Sequence, residues 1–112
     1  MPTVINKVTD KKIKDIVSFI ASEYEPEKII LFGSYATGNY SKSSDIDLLI
    51  ITKTKESSWE TSVDISSKIS HTFPIDIIVK SPTEINLRIK SGDFFIKEII
   101  EGGKVVYEKT CQ

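Results

Sequence analysis

Asp45 and Asp47 open the run Asp-Ile-Asp-Leu-Leu-Ile-Ile over residues 45–51. Side chains alternate along a strand, so carboxylates at i and i+2 leave the same face. A strand this apolar does not carry two charges on one face without compensation, and a divalent cation is the compensation these residue types favour. Upstream, a second apolar run, 28–32, ends at Gly33-Ser34, with ten residues between Ser34 and Asp45. Gly33 permits close backbone approach, and Ser34 Oγ can donate to a phosphate. Ser34 to Thr37 can begin a short helix whose free N–H groups face an anion. A third carboxylate, Asp76, stands alone between Ile75 and Ile77. Asp45, Asp47 and Asp76 are therefore candidate ligands for two hard cations, held roughly 3.5–4 Å apart as in two-metal phosphoryl chemistry. Asp76 is also the candidate general base. The combination implies metal-dependent transfer from a nucleoside triphosphate.

For these groups to meet, the chain must bring three strands together. The segment between Ser34 and Asp45 is too short for a helical crossover to a parallel neighbour, so strands 28–32 and 45–52 are expected to be antiparallel. The next connection is helix-sized. It places strand 74–80 parallel to 45–52 by a right-handed crossover. In a parallel pair the starting ends align, and Asp47 and Asp76 are each the third residue of their strand. The Gly33-Ser34 turn and all three carboxylates then gather on one edge of the sheet.

Local signals frame these strands with helices. Ile13, Ile16, Val17, Ile20 and Tyr24 recur at helical spacing, predicting a helix over 10–24 that ends before Pro26. Ser57 and Glu60 form a candidate capping box for a helix to about Ser70, with Trp59 expected to pack. Ser81 and Glu84 form a second, with Pro82 at the favoured first position. That helix is expected to stop near Ser91-Gly92. Asp93 then caps a last helix through Ile100, which Gly102-Gly103 terminates. Phe94, Phe95, Ile96, Ile99 and Ile100 read as an apolar cluster, core-facing by default with a partner surface as the alternative for part of it, and 105–107 as a final short strand.

Composition narrows the class. Fifteen basic and sixteen acidic residues among 112 give no basic footprint for an extended nucleic-acid-gripping surface and leave room only for a local basic patch. Cys111 is the only cysteine, which rules out an intrachain disulfide or a cysteine zinc site and suits a reducing cytoplasm. No leader-like or membrane-length apolar run is present, so a single cytoplasmic domain over residues 1–112 is expected. His71 is read as a solvated helix-end residue and Cys111 as a tail residue.

Leu31-Phe32-Gly33-Ser34, ten residues, then Asp45-Ile46-Asp47, resembles the signature of the DNA polymerase beta nucleotidyltransferase superfamily. The length, the later Pro74-Ile75-Asp76-Ile77-Ile78 and the ending Gly102 to Glu108 resemble its minimal nucleotidyltransferases. These are small prokaryotic members often encoded beside a HEPN-domain protein. The resemblance spans about residues 9–108. It implies an α/β (α+β) nucleotidyltransferase fold, a small mixed sheet flanked by helices. It also implies Gly33 and Ser34 as triphosphate contacts, and Asp45, Asp47 and Asp76 as the carboxylates around two Mg²⁺ ions, with ATP as co-substrate. By the same resemblance the chain is an antitoxin that moves AMP to a tyrosine of a partner HEPN toxin. An antibiotic-type small-molecule nucleotidyltransferase, acting as a homo-oligomer, and a non-catalytic antitoxin are the alternatives. Thr37 stands where many members carry a basic residue, which leaves Lys42 as the cation of that loop.

Overall fold

The computed structural model describes residues 2–4, 11–33, 46–53, 57–69 and 75–109. Within these residues five strands, β1 (Pro2–Val4), β2 (Lys28–Phe32), β3 (Ile46–Ile51), β4 (Ile75–Lys80) and β5 (Lys104–Lys109), form one sheet in the order β1-β5-β2-β3-β4. The β3–β4 pair is parallel and the others are antiparallel. Among the described residues, four helices accompany them: α1 (Lys11–Tyr24), α2 (Ser58–Ile69), α3 (Pro82–Lys90) and α4 (Phe94–Gly102). The mixed α/β fold expected from the connection lengths is the fold observed.

The alternation of each strand divides the core in two. Ile29, Leu31, Ile46, Leu48, Ile50 and Val79 face the side closed by Ile13, Val17 and Ile20 of α1 and Ile65 of α2. Ile30, Leu49 and Ile51 face the other side, under Ile85 of α3 and Ile96 and Ile99 of α4. β3 is covered on both faces, which is why its sequence after Asp47 is continuously apolar rather than alternating. Asp47 and Asp76 have the parity of Leu49 and Ile78, so they lie on the α3/α4 face.

Side-chain caps fix where the helices begin. Ser57 Oγ accepts from the Glu60 N–H at 3.1 Å, at the start of α2. At α3 both halves of the capping box are present. The Glu84 N–H donates to Ser81 Oγ at 3.1 Å, and the Ser81 N–H donates to Glu84 Oε1 at 3.0 Å. Glu84 Oε1 also accepts a short hydrogen bond from Ser58 Oγ, so one carboxylate ties the start of α2 to the start of α3. These donors hold the Glu84 carboxyl below the usual glutamate range, Ser58 contributing most. α3 ends in a left-handed Gly92 (φ +84°), with the Asp93 N–H reaching Arg88 O and the Gly92 N–H reaching Ile89 O. Only such a turn closes both bonds, and glycine adopts it without strain. Asp93 then caps α4 through the Ile96 N–H.

Several expectations are corrected. β1, unforeseen, pairs with β5, and β5 runs from Lys104 rather than Val105. Gly102 belongs to α4, and Gly103 ends the helix with φ −78°, not in a left-handed turn. What demands glycine at Gly103 is proximity. A Cβ there would lie 2.5 Å from Ile30 Cγ2, 2.6 Å from Ile99 O and 3.0 Å from Leu31 O. Trp59, expected to pack, is 73% exposed. Phe94 and Phe95 are likewise exposed, and only Ile96 and Ile99 of their cluster are fully buried. α4 has one buried stripe against the sheet, and two adjacent phenylalanines at its start cannot both lie on it. Tyr24 does pack, and its hydroxyl donates to Asp64 of α2. Among the described residues, no helix is long and apolar enough to cross a membrane.

Two outcomes follow from these contacts. Gly103→Ala will lower stability by about 1–3 kcal/mol, because two of the three clashing atoms are backbone carbonyls that cannot rotate away; chemical denaturation measures it. The Glu84 carboxyl is depressed in the folded state, so its contribution is complete above the unfolded value, near 4.5, and is lost as pH falls through the folded value. Glu84→Gln will therefore destabilise the chain by about 1 kcal/mol at neutral pH, and the difference from wild type will shrink below pH 4.5. Unfolding midpoints across pH 3–7 read this out, and a constant difference across that range would contradict it.

Candidate active site

The strand ladder sets the site. Phe32 pairs with Asp47 in the antiparallel β2–β3 ladder, and Asp47 pairs with Asp76 in the parallel β3–β4 ladder. Phe32, Asp47 and Asp76 thus form one row across three strands, with β-carbons on one face. Neighbouring strands lie about 4.8 Å apart, so the two carboxylates stand side by side. Asp47 is half-buried and Asp76 exposed. Gly33 follows Phe32 in a left-handed conformation, φ +78°, and turns the backbone over the Asp47 side chain.

This row is the floor of a groove of about 850 Å³. Its lining includes Phe32, Gly33, Asp47, Asp76 and Ile78 on the sheet side, and Phe95, Glu98, Ile99 and Gly102 on the α4 side. Phe95 meets Phe32 edge to face, with centroids 6.0 Å apart and rings at 85°, a favoured aromatic geometry. The groove therefore has an aromatic wall and an acidic floor. Glu98 adds a third negative side chain from the opposite side. Such a lining suits a ligand that is partly apolar and carries cationic charge or brings cations with it.

Three of the five residues singled out by sequence, Gly33, Asp47 and Asp76, meet at this groove. Ser34 and Asp45 lie outside the described residues, as do the Ser34–Thr37 turn, Lys42, His71 and Cys111. Among the described residues, no three His, Cys, Asp or Glu side chains form a metal cluster. Asp47 and Asp76 nonetheless present adjacent oxygen donors, the hard ligand type Mg²⁺ selects. Phe95, Glu98, Gly102 and Gly103 were missed as groove residues. The apolar periodicity of α4 marks its buried stripe but not what its open end overlooks.

Comparison with known proteins agrees with this geometry. Residues 12–112 match the family described as "Polymerase beta, Nucleotidyltransferase". Two proteins of Methanocaldococcus jannaschii, each named "Putative protein adenylyltransferase", are similar in sequence. One is 35% identical over 102 residues, covering 88% of this chain and 97% of the relative. The other is 34% identical over 89 residues, covering 80% and 86%. A crystal structure described as a "putative nucleotidyltransferase from Sulfolobus solfataricus" superposes with a TM-score of 0.54 at 30% identity, covering 69% of this chain and 70% of that one. A chain from the crystal structure of a toxin-antitoxin with AMP-PNP superposes with the same TM-score. At 18% identity, covering 87% of this chain and 74% of that one, it shares the fold. With Gly33, Asp47 and Asp76 on one sheet edge and its family matched over residues 12–112, the chain belongs to the polymerase beta nucleotidyltransferase family and is a nucleotidyltransferase.

Proposed function

We propose that residues 1–112 form a minimal nucleotidyltransferase domain that moves AMP from ATP to a hydroxyl of a partner protein, with Mg²⁺ required. The observation that carries this reading is the in-register pairing of Asp47 with Asp76 beside the Gly33 turn, on the floor of an open groove. Gly33 and Ser34 contact the triphosphate, and Asp45, Asp47 and Asp76 hold the cations. When bound, those cations neutralise the phosphates and lower the pKa of the acceptor hydroxyl. Asp76, the more exposed carboxylate, faces the acceptor and takes its proton. The acceptor oxygen forms a bond to the α-phosphorus in line as the bond to the pyrophosphate oxygen breaks, and pyrophosphate leaves. Catalysis rests on positioning and charge neutralisation rather than on a covalent enzyme intermediate.

The protein acceptor is supported by the two relatives named as protein adenylyltransferases. A toxin-antitoxin structure with AMP-PNP shares the fold, and this likeness motivates ATP as donor and an antitoxin role. A HEPN-domain toxin offering a tyrosine hydroxyl is the partner this reading specifies, by resemblance to the minimal nucleotidyltransferases. The groove is open, and among the described residues α4 forms its wall opposite the sheet, which suits an acceptor delivered from outside.

The test incubates the purified chain with a co-encoded HEPN protein, labelled ATP and Mg²⁺. Label from the α-phosphate is expected on a tyrosine of the partner, and none from the γ-phosphate. Asp47→Ala and Asp76→Ala are each expected to cut transfer at least about 100-fold, and EDTA to abolish it. Transfer that survives either substitution at wild-type rate would show that the carboxylate row is not the reaction centre. Neutralisation of the toxin without any label transfer would instead make the chain a binding antitoxin.

A further inference from the structure

We infer that Gly33 is the positioning residue for the Asp47 carboxylate, whose oxygen occupies the space that a β-carbon on residue 33 would fill. A Cβ built on Gly33 would overlap Asp47 Oδ2, with Asp47 Cγ 3.3 Å and Asp47 Cβ 3.6 Å away. All three nearest atoms belong to that single side chain. Gly103 provides the contrast, because its nearest neighbours are Ile30 Cγ2 and the carbonyl oxygens of Ile99 and Leu31. Glycine at Gly103 lets elements pack, whereas glycine at Gly33 makes room for one carboxylate of the acidic row.

Two separable costs therefore attend any side chain at residue 33. One is the left-handed backbone, φ +78°, which penalises every L-residue with a β-carbon whatever stands at position 47. The other is displacement of Asp47. Its backbone is held by Phe32 on one side and Asp76 on the other, so its side chain can escape only by rotating about χ1 or χ2. Either rotation moves Oδ2 and re-aims the carboxylate relative to Asp76. The consequence for cation binding rests on the nucleotidyltransferase reading above, but the steric coupling does not. A glycine needed solely for approach of a phosphate would leave the nucleotide-free protein unaffected by residue 47.

A double-mutant cycle separates these roles. Thermal unfolding is compared for wild type, Gly33→Ala, Asp47→Ala and Gly33→Ala/Asp47→Ala, without nucleotide. The drop in Tm caused by Gly33→Ala is expected to be about twice as large in the wild-type background as in Asp47→Ala. Equal drops in both backgrounds, including failure of both Gly33→Ala chains to fold, would overturn the inference. Mn²⁺ binding by electron paramagnetic resonance forms the second arm, with Gly33→Ala expected to weaken Mn²⁺ about tenfold or more. Coupling in the cycle with Mn²⁺ affinity unchanged between wild type and Gly33→Ala would keep the positioning role and sink the metal reading instead.

Discussion

Two carboxylates held abreast repel each other, and the fold tolerates that repulsion because backbone hydrogen bonds, not the side chains, set their spacing. Asp47 and Asp76 are cross-strand partners in a parallel ladder that continues through Ile51 and Lys80. Like charges in this arrangement are unfavourable on their own. The ladder prevails because β3 is buried on both faces, with Leu48, Leu49 and Ile50 fully inaccessible. Each such side chain contributes about 1.5–3 kcal/mol of burial. A few of them outweigh the repulsion of one partly solvated acidic pair. The acidic row is thus an arrangement imposed by the ladder at the open end of an apolar strand.

The groove above that row depends on how α4 is placed, and α4 inherits its position from short polar contacts. Glu84 links the starts of α2 and α3 by accepting from Ser58 and from the Ser81 N–H. Gly92 then reverses the chain, and Asp93 restarts it as α4. Gly103 lets the end of α4 approach β2 closely enough for β5 to begin at once. Between those fixed ends, Ile96 and Ile99 reach the sheet while Phe95 and Glu98 overlook Asp47 and Asp76. On the opposite face the contacts are of another kind. Tyr24 donates to Asp64, and Lys68 pairs with Asp64 and lies over the Tyr24 ring, binding α1 to α2 away from the groove.

Much of this arrangement was legible in the chain because it is enforced locally. Connection length alone distinguishes the antiparallel β2–β3 pair from the parallel β3–β4 pair, and the ordinal positions of Asp47 and Asp76 then give the register. The caps Ser57, Ser81 and Asp93 mark helix starts because unpaired N–H groups at those ends need an acceptor. What escaped sequence reading is set by tertiary contact. β1 is three residues long, too short for any period to show. The exposure of Trp59, Phe94 and Phe95 depends on which stripe of each helix meets the sheet. Gly103 looks like an ordinary helix stop until the approach of Ile30 and Leu31 is seen. The groove lining from α4 combines residues whose only shared property is the end of the sheet they overlook.

The parallel pairing also has a kinetic side. Hairpin-like contacts such as β2–β3 close short loops and can form early, whereas β4 reaches β3 only after α2 has crossed the sheet. Asp47 can therefore find its neighbour Phe32 well before it finds Asp76. Until that late step the chain holds half of its acidic row and none of the floor that β4 contributes to the groove. The floor of the groove is then completed only by this longer-range pairing, while the still more distant β2–β5 and β1–β5 pairings close the rest of the sheet.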